Sequence, residues 1–271
     1  MLLTVATFRQ RVRSELDGLI RDLQEQTGRG SPEEASAWCA SLPAVSDVFS
    51  DQLFQPLHLY FGERGNLALE YRLPASSSWC DMVLLGAHRR RPAAAIVELK
   101  HWSTQGDRPG PTEALVEHAG VFHLHPSDQV RGYVEYARYF HSAVQANGAD
   151  VHGCVVFTRD RPTAAYSAGP HGELTRDYPC FAANEDSSRR ELADYFASRL
   201  SEPDVNFAQE FEAGWYHQDR SFVQNIGQTL AHSTARPLIL LDNQRYGFAL
   251  AKAEIESAVF AAQGRQGKKV I

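Results

Sequence analysis

Asp81-Met82-Val83-Leu84-Leu85-Gly86 and Ala94-Ala95-Ile96-Val97-Glu98-Leu99-Lys100 are the two stretches of this chain that decide its fold. Each is a short aliphatic run that begins or ends in charged residues. The segment between them contains glycine, proline and arginine residues, which is typical of a turn between two strands. The sequence therefore predicts a β-hairpin built from these two stretches, with its turn over residues 86–92.

The charged residues of this hairpin are placed to meet at one end. Side chains alternate between the two faces of a strand, so Glu98 and Lys100 are expected on the same face. Val97 and Leu99 then point to the other face, into the core. Asp81 begins the preceding strand, and in a hairpin its carboxylate can reach the Glu98 end of the neighbouring strand.

A third carboxylate, Glu70, stands on an earlier strand-like run over residues 66–73. Phosphodiester hydrolysis requires a divalent ion that neutralises charge and activates water. Mg²⁺ and Mn²⁺ prefer oxygen ligands, and a lysine beside the metal can orient the water or stabilise the developing anion. The competing interpretation of the same spacing is a solvent-facing salt bridge between Glu98 and Lys100.

The motif series Glu70-Tyr71, Asp81 to Gly86 and Ile96 to Lys100 resembles that of PD-(D/E)XK nucleases. Cys80 stands where the motif often has proline. Over about residues 30 to 160, the resemblance implies an α/β restriction-endonuclease-like fold, in which a central mixed sheet is flanked by helices.

A further part of the resemblance is Gln129-Val130-Arg131-Gly132-Tyr133, which is similar to the QxxxY helix of the RecB-like branch. Gln129 and Tyr133 are one helical turn apart and can face the same site. The catalytic residues implied by the resemblance are Asp81, Glu98, Lys100, Glu70, Gln129 and Tyr133. The implied ligands of a bound Mg²⁺ or Mn²⁺ ion are Asp81, Glu98, the Leu99 backbone carbonyl and, as a further candidate, Glu70.

The chain also resembles the N-terminal part of bacterial Schlafen-like nuclease–helicase fusions. The matching stretches are residues 38–44 (WCASLPA), 125–129 (HPSDQ) and 240–245 (LLDNQR). This resemblance implies a DNA endonuclease coupled to a helicase/ATPase, for which antiviral defence is one candidate role. The scattered cysteines favour reduced thiols in a cytoplasmic protein. RNA is the alternative substrate, and a catalytically inactive nucleic-acid-binding or regulatory module is the alternative function. Gln244 resembles the adenine-reading glutamine of helicases.

Helical periodicity and turn residues divide the chain into three parts. Residues 1–30 are expected to form an N-terminal helix, residues 31–204 the nuclease-like domain, and residues 205–271 a helical extension. The extension leads towards a helicase domain that is absent here, because the chain contains no GxxxxGK[ST] loop and stops within a strand-like end. Its apolar residues Phe248, Ile255 and Val259 are expected to dock on the nuclease domain or on a second copy of the chain.

Composition excludes several other functions. The formal net charge of −6 requires a local basic patch for any nucleic-acid site. The four cysteines form no CxxC pair, which argues against a zinc site, and no apolar run is long enough for a membrane span. His118, His123 and His125 are predicted to be solvated loop residues. Arg89-Arg90-Arg91 is predicted to be either a solvated turn or a phosphate-contacting tip.

Overall fold

The computed structural model describes residues 1–27, 31–61, 81–215 and 242–263. Its strands are β1 Leu2–Thr4, β2 His58–Tyr60, β3 Met82–His88, β4 Arg91–Lys100, β5 Arg108–Pro109, β6 Leu115–His118, β7 Val121–Leu124, β8 Asp150–Phe157 and β9 Cys180–Ala182. Its α-helices are α1 Val5–Ser14, α2 Leu16–Thr27, α3 Pro32–Val48, α4 Pro126–Phe140, α5 Ser142–Asn147, α6 Gly172–Asp177, α7 Asp186–Ala197, α8 Val205–Glu212 and α9 Asp242–Gln263.

The main sheet has six strands in the order β1-β2-β3-β4-β8-β9. β1 to β4 form antiparallel pairs, whereas β8 lies parallel to β4 and β9 parallel to β8. The parallel step requires a crossover between β4 and β8, and α4 and α5 lie within it. The predicted α/β class, a mixed sheet flanked by helices with a C-terminal helix, is therefore confirmed.

Helices cover both faces of this sheet. The core on one face contains buried residues of α1, α2, α3 and α7, together with Leu84 and Val97 from the sheet. The core on the other face contains buried residues of α4, α5 and α8, together with Val83 and Ile96. Because both faces are covered, the middles of β3, β4 and β8 are mainly apolar, and charged residues lie at the strand ends, including Glu98 and Lys100 at the end of β4.

The β3–β4 hairpin has a tighter turn than the sequence suggested. Pairing continues from Met82 opposite Val97 to His88 opposite Arg91. Only Arg89 and Arg90 remain for the turn, with φ angles of 51° and 65°. Positive φ at both residues is the combination of a type I′ turn, whose twist matches that of the flanking strands. The predicted turn over residues 86–92 was therefore too wide.

The N-terminal thirty residues are more than the single helix that was predicted. Leu2 to Thr4 form an edge strand that pairs with β2, and the helix that follows is interrupted at Glu15, which has φ −153°. Thr4 caps the first helix by accepting a hydrogen bond from Thr7 N at 3.1 Å. The start of the chain is thus built into the same sheet as the β3–β4 hairpin.

α4 has a histidine cap and is separated from α5 by one extended residue. The cap is His125, whose Nδ1 accepts from Ser127 N at 3.1 Å, with Pro126 in the first turn. The helix ends at Phe140, because His141 has extended backbone angles before α5 begins. Ser188, inside α7, accepts a hydrogen bond from Ala182 N and so links that helix to β9.

α9 contacts the domain through polar groups and one small residue. Ala249 is 2% exposed, whereas Phe248, Ile255 and Val259 are 63%, 57% and 43% exposed. α9 docks on the domain, but the predicted burial of these three residues there is wrong, since a different face of α9 meets the domain. Their docking on a second copy of the chain stays a prediction. Within the described ranges, no helix is long and apolar enough to cross a membrane.

Candidate active site

The end of β4 brings together an acid and a lysine that are both largely buried. Lys100 Nζ donates to Glu98 Oε1 at 2.6 Å, and the two side chains are 13% and 6% exposed. Both residues lie on the α4 side of the sheet, as the alternation predicted, while Val97 and Leu99 pack on the opposite side. This burial rules out the alternative of a solvent-facing salt bridge.

Asp81 lies immediately before β3, next to this pair. The register of Met82 opposite Val97 places Asp81 beside Glu98 on the neighbouring strand. Val83, two residues further along, belongs to the core on the α4 side, so Asp81 is on the same side of the sheet as Glu98. Its Oδ2 accepts a hydrogen bond from Leu99 N at 2.7 Å, which ties the carboxylate to β4.

Gln129 and Tyr133 on α4 complete a hydrogen-bonded chain with Lys100. Gln129 Oε1 accepts from Lys100 Nζ at 3.0 Å, and Gln129 Nε2 donates to Tyr133 Oη at 2.8 Å. α4 lies close to β8 because Gly153 has no side chain, and a Cβ there would meet Val130 at 2.3 Å. The structure therefore brings these two residues and Lys100 together, as the resemblance implied.

A Mg²⁺ or Mn²⁺ ion would find oxygen donors at this place. Asp81, Glu98 and the Leu99 carbonyl supply hard oxygen atoms, and Mg²⁺ commonly uses one or two carboxylates and retains several waters. The donor set therefore fits the ion. Among the described residues, no group of three or more His, Cys, Asp or Glu side chains is arranged to hold a metal. Glu70, the further candidate ligand, lies outside the described residues.

An aromatic cluster next to Lys100 was not foreseen from the sequence. Lys100 Nζ lies 5.1 Å from the Trp102 ring centroid, and the His118 ring stacks on Trp102 at 4.4 Å. His118 Nδ1 contacts Asp107 at 3.0 Å, and Tyr166 donates to the same carboxylate at 2.6 Å. The only feature of the sequence that points to Trp102 is its position, two residues after Lys100.

The three predicted loop histidines are not solvated loop residues. His118 lies on β6 and His123 on β7, and both are half-buried. These strands belong to a small three-stranded sheet whose residues stand between β4 and α4 in the sequence. Burial, with the charges of His118 and Lys100 acting in the same direction, lowers the pKa of His123. His125 is fully buried, and its Nε2 contacts the Tyr166 carbonyl at 3.1 Å. Burial lowers the pKa of His125 to about 3.

Asp128 is a second buried carboxylate that the sequence did not single out. It precedes Gln129 and its side chain is 1% exposed. Arg245 of α9 binds it through both ends of the guanidinium, with Nε 2.7 Å from Oδ2 and Nη2 2.9 Å from Oδ1, and Arg131 also donates to it. Burial works to lower the pKa of Arg245, but the bonds and attraction to Asp128 outweigh it and raise that pKa.

The arginine-rich turn lies away from the site. Arg89 and Arg90 close the β3–β4 hairpin at the end opposite Lys100. At about 3.3 Å per residue along β4, this tip is about 30 Å from Lys100. A phosphate held at the tip would therefore not be the phosphate at the candidate site, so the turn is not part of it.

Comparison with protein-family models, with curated proteins and with solved structures finds no match to this chain. The contacts made by the described residues are therefore the basis for any functional conclusion.

Proposed function

We propose that this chain is a PD-(D/E)XK-type, metal-dependent nuclease that hydrolyses phosphodiester bonds in DNA. The observation that carries the proposal is the position of Lys100 Nζ, which contacts both Glu98 Oε1 and Gln129 Oε1. Asp81, immediately before the adjacent strand β3, accepts a hydrogen bond from Leu99 N. A lysine held between two acceptors beside a second carboxylate is suited to act on an anionic substrate.

Asp81, Glu98 and the Leu99 carbonyl would hold the metal ion, with Glu70 as a further candidate ligand. When bound, the ion would neutralise charge on the phosphate and make a bound water more acidic. The Leu99 amide fixes the direction of the Asp81 carboxylate. Lys100 would orient the attacking water or balance the charge that develops on the phosphate oxygens.

Gln129 and Tyr133 would act by holding Lys100 in place. An ammonium has three donor hydrogens, and two of them are directed at Glu98 and Gln129. Tyr133 accepts from Gln129 Nε2, which fixes the side-chain oxygen of Gln129 towards Lys100. This order of contacts assigns Lys100 to the chemistry and the other two residues to its positioning.

The partner and cellular setting remain parts of the same proposal. DNA is the proposed substrate, RNA is the alternative, and a helicase/ATPase is the proposed partner. A cytoplasmic location agrees with the three described cysteines, Cys39, Cys154 and Cys180, all of which are free thiols. Because the overall charge is −6, Lys100 and a bound metal ion would have to supply the local attraction for an anionic substrate.

A cleavage assay tests the proposal directly. The purified chain is incubated with end-labelled single-stranded DNA, double-stranded DNA and RNA, in Mg²⁺, in Mn²⁺ and in a chelator. We expect metal-dependent cleavage of DNA that Lys100→Ala abolishes and that Lys252→Ala, on exposed α9, leaves unchanged. Cleavage of RNA alone would replace the substrate. Absence of cleavage in every condition would favour the non-catalytic module.

A further inference from the structure

The Asp128–Arg245 ion pair connects α9 to the candidate site across 117 positions of sequence. Both oxygens of the Asp128 carboxylate are bound by the Arg245 guanidinium, whose side chain is 12% exposed. Glu135 Oε2 adds a contact to Arg245 at 3.5 Å, and Arg131 adds one to Asp128. A planar guanidinium that meets a carboxylate at two atoms fixes direction as well as distance.

Asp128 is the residue before Gln129, and both lie in the first turn of α4. Gln129 in turn contacts Lys100. A contiguous series of polar contacts therefore runs from α9 through Arg245, Asp128 and Gln129 to Lys100. Because consecutive residues of one helical turn move together, a displacement of Asp128 also displaces the side-chain oxygen that Lys100 contacts.

Within the described ranges, α9 also meets the domain through Tyr246 and Ala249. Tyr246 Oη donates to the Phe122 carbonyl at 3.1 Å, and Ala249 is buried. A cavity of about 190 Å³ separates α9 from the segment before α4, with Thr112, Arg131 and Lys252 in its lining. Among the described residues, Arg131 is the other side chain that binds Asp128, and it is 27% exposed.

We propose that Arg245 is a positioning residue for the candidate site. By holding Asp128, it fixes the first turn of α4 and keeps Gln129 within hydrogen-bonding distance of Lys100. The docking of α9 thereby sets the activity of a site to which α9 contributes no reacting group. The activity readout rests on the proposed nuclease function, whereas the structural link from Arg245 to α4 does not.

The first test measures the structural link by amide hydrogen exchange in the full chain. Arg245→Met removes the charge at similar length, and Arg245→Lys keeps the charge but loses the two-point contact. Lys252→Met, on the same helix, is the control. We expect faster exchange over residues 126–133 in Arg245→Met, a smaller increase in Arg245→Lys and none in the control. Unchanged exchange in Arg245→Met would overturn the proposal.

The second test asks whether Arg245 acts through Gln129. We expect Arg245→Met to lower kcat/KM about 2- to 30-fold, the range of coupling found along contact networks, at a temperature where circular dichroism shows the variant to be folded. In a Gln129→Ala background, the same substitution should have little further effect, because the contact that it disturbs is already gone. Additive losses would indicate a general loss of stability and overturn the proposal.

Failure of the proposed nuclease function and failure of the positioning role of Arg245 give different results. If the wild-type chain cleaves no substrate, the proposed function fails, and hydrogen exchange over residues 126–133 still decides whether Arg245 holds α4. If the chain cleaves DNA but both exchange and kcat/KM are unchanged in Arg245→Met, the nuclease proposal stands and the positioning role is wrong.

Discussion

Lys100 Nζ lies 2.6 Å from Glu98 Oε1, and neither side chain is more than 13% exposed. Two opposite charges at this depth stabilise each other only as a pair, since a buried charge without its partner is costly. The same contact holds the Lys100 ammonium beside the Glu98 carboxylate. Glu98 and Lys100 are therefore expected to contribute both to stability and to the proposed activity. Substituting one or both of them distinguishes the two contributions.

Lys100→Met should lower the free energy of unfolding by about 3–5 kcal/mol, because Glu98 loses its charged partner in a buried position. The double variant Glu98→Gln/Lys100→Met should recover most of that loss, since no buried charge remains. Both variants should be inactive in the cleavage assay. Urea denaturation measures the first effect, and an active double variant would show that the pair serves stability alone.

Asp81→Asn should weaken Mg²⁺ binding at least about tenfold while the fold is retained. The asparagine side-chain oxygen can still accept from Leu99 N, but the negative charge that favours the ion is gone. Isothermal titration calorimetry measures the affinity, and Asp150→Asn on β8 is the matched control. Equal Mg²⁺ affinity in Asp81→Asn and the wild type would remove Asp81 from the ligand set.

Tyr133→Phe should lower kcat about 2- to 12-fold, which corresponds to the loss of one hydrogen bond of about 0.5–1.5 kcal/mol. The substitution removes the acceptor of Gln129 Nε2 and leaves the ring in the core. Because Tyr133 acts through Gln129, the effect should vanish when Gln129 is already alanine. A full effect in that background would mean that Tyr133 contacts the substrate itself.

His125 should make the protein less stable as the pH falls. Its pKa is lowered to about 3 by burial, with the positive charge of His171 adding to that effect. The unfolded chain therefore binds a proton that the folded chain does not. Above pH 6.5, His125 is neutral in both the folded and the unfolded chain, so it does not make the free energy of unfolding depend on pH. As the pH falls from 6.5 to 3, that free energy decreases by up to about 1.4 kcal/mol per pH unit.

His125→Asn tests this dependence, because asparagine can still cap α4. The variant should be less stable than the wild type at pH 7, since the contact with the Tyr166 carbonyl is lost. Its free energy of unfolding should then fall less steeply from pH 6.5 to pH 4. Urea denaturation across that range measures the slope, and parallel curves for the two proteins would show that His125 does not titrate on unfolding.

Local sequence patterns determined the hairpin and the face on which its charges lie. Glu98 and Lys100 had to share a face because strands alternate, and Gln129 and Tyr133 had to share one because helices repeat after about four residues. These rules act within one element or between neighbours in sequence. They predicted that Asp81, Glu98 and Lys100 lie at one end of the hairpin, whereas Gln129 was added only by the resemblance to the QxxxY helix. The structure places these four residues together.

Only the tertiary structure decided the contacts between distant segments. The hydrogen bond from Lys100 to Gln129 depends on how closely α4 packs on β8, which Gly153 permits. The stacking of His118 on Trp102 and the binding of Arg245 to Asp128 join elements that no periodicity relates. The physical reason is that a buried charge or aromatic ring must interact with the side chains that lie beside it in the packed protein. Those neighbours are determined only when the helices pack on the sheet.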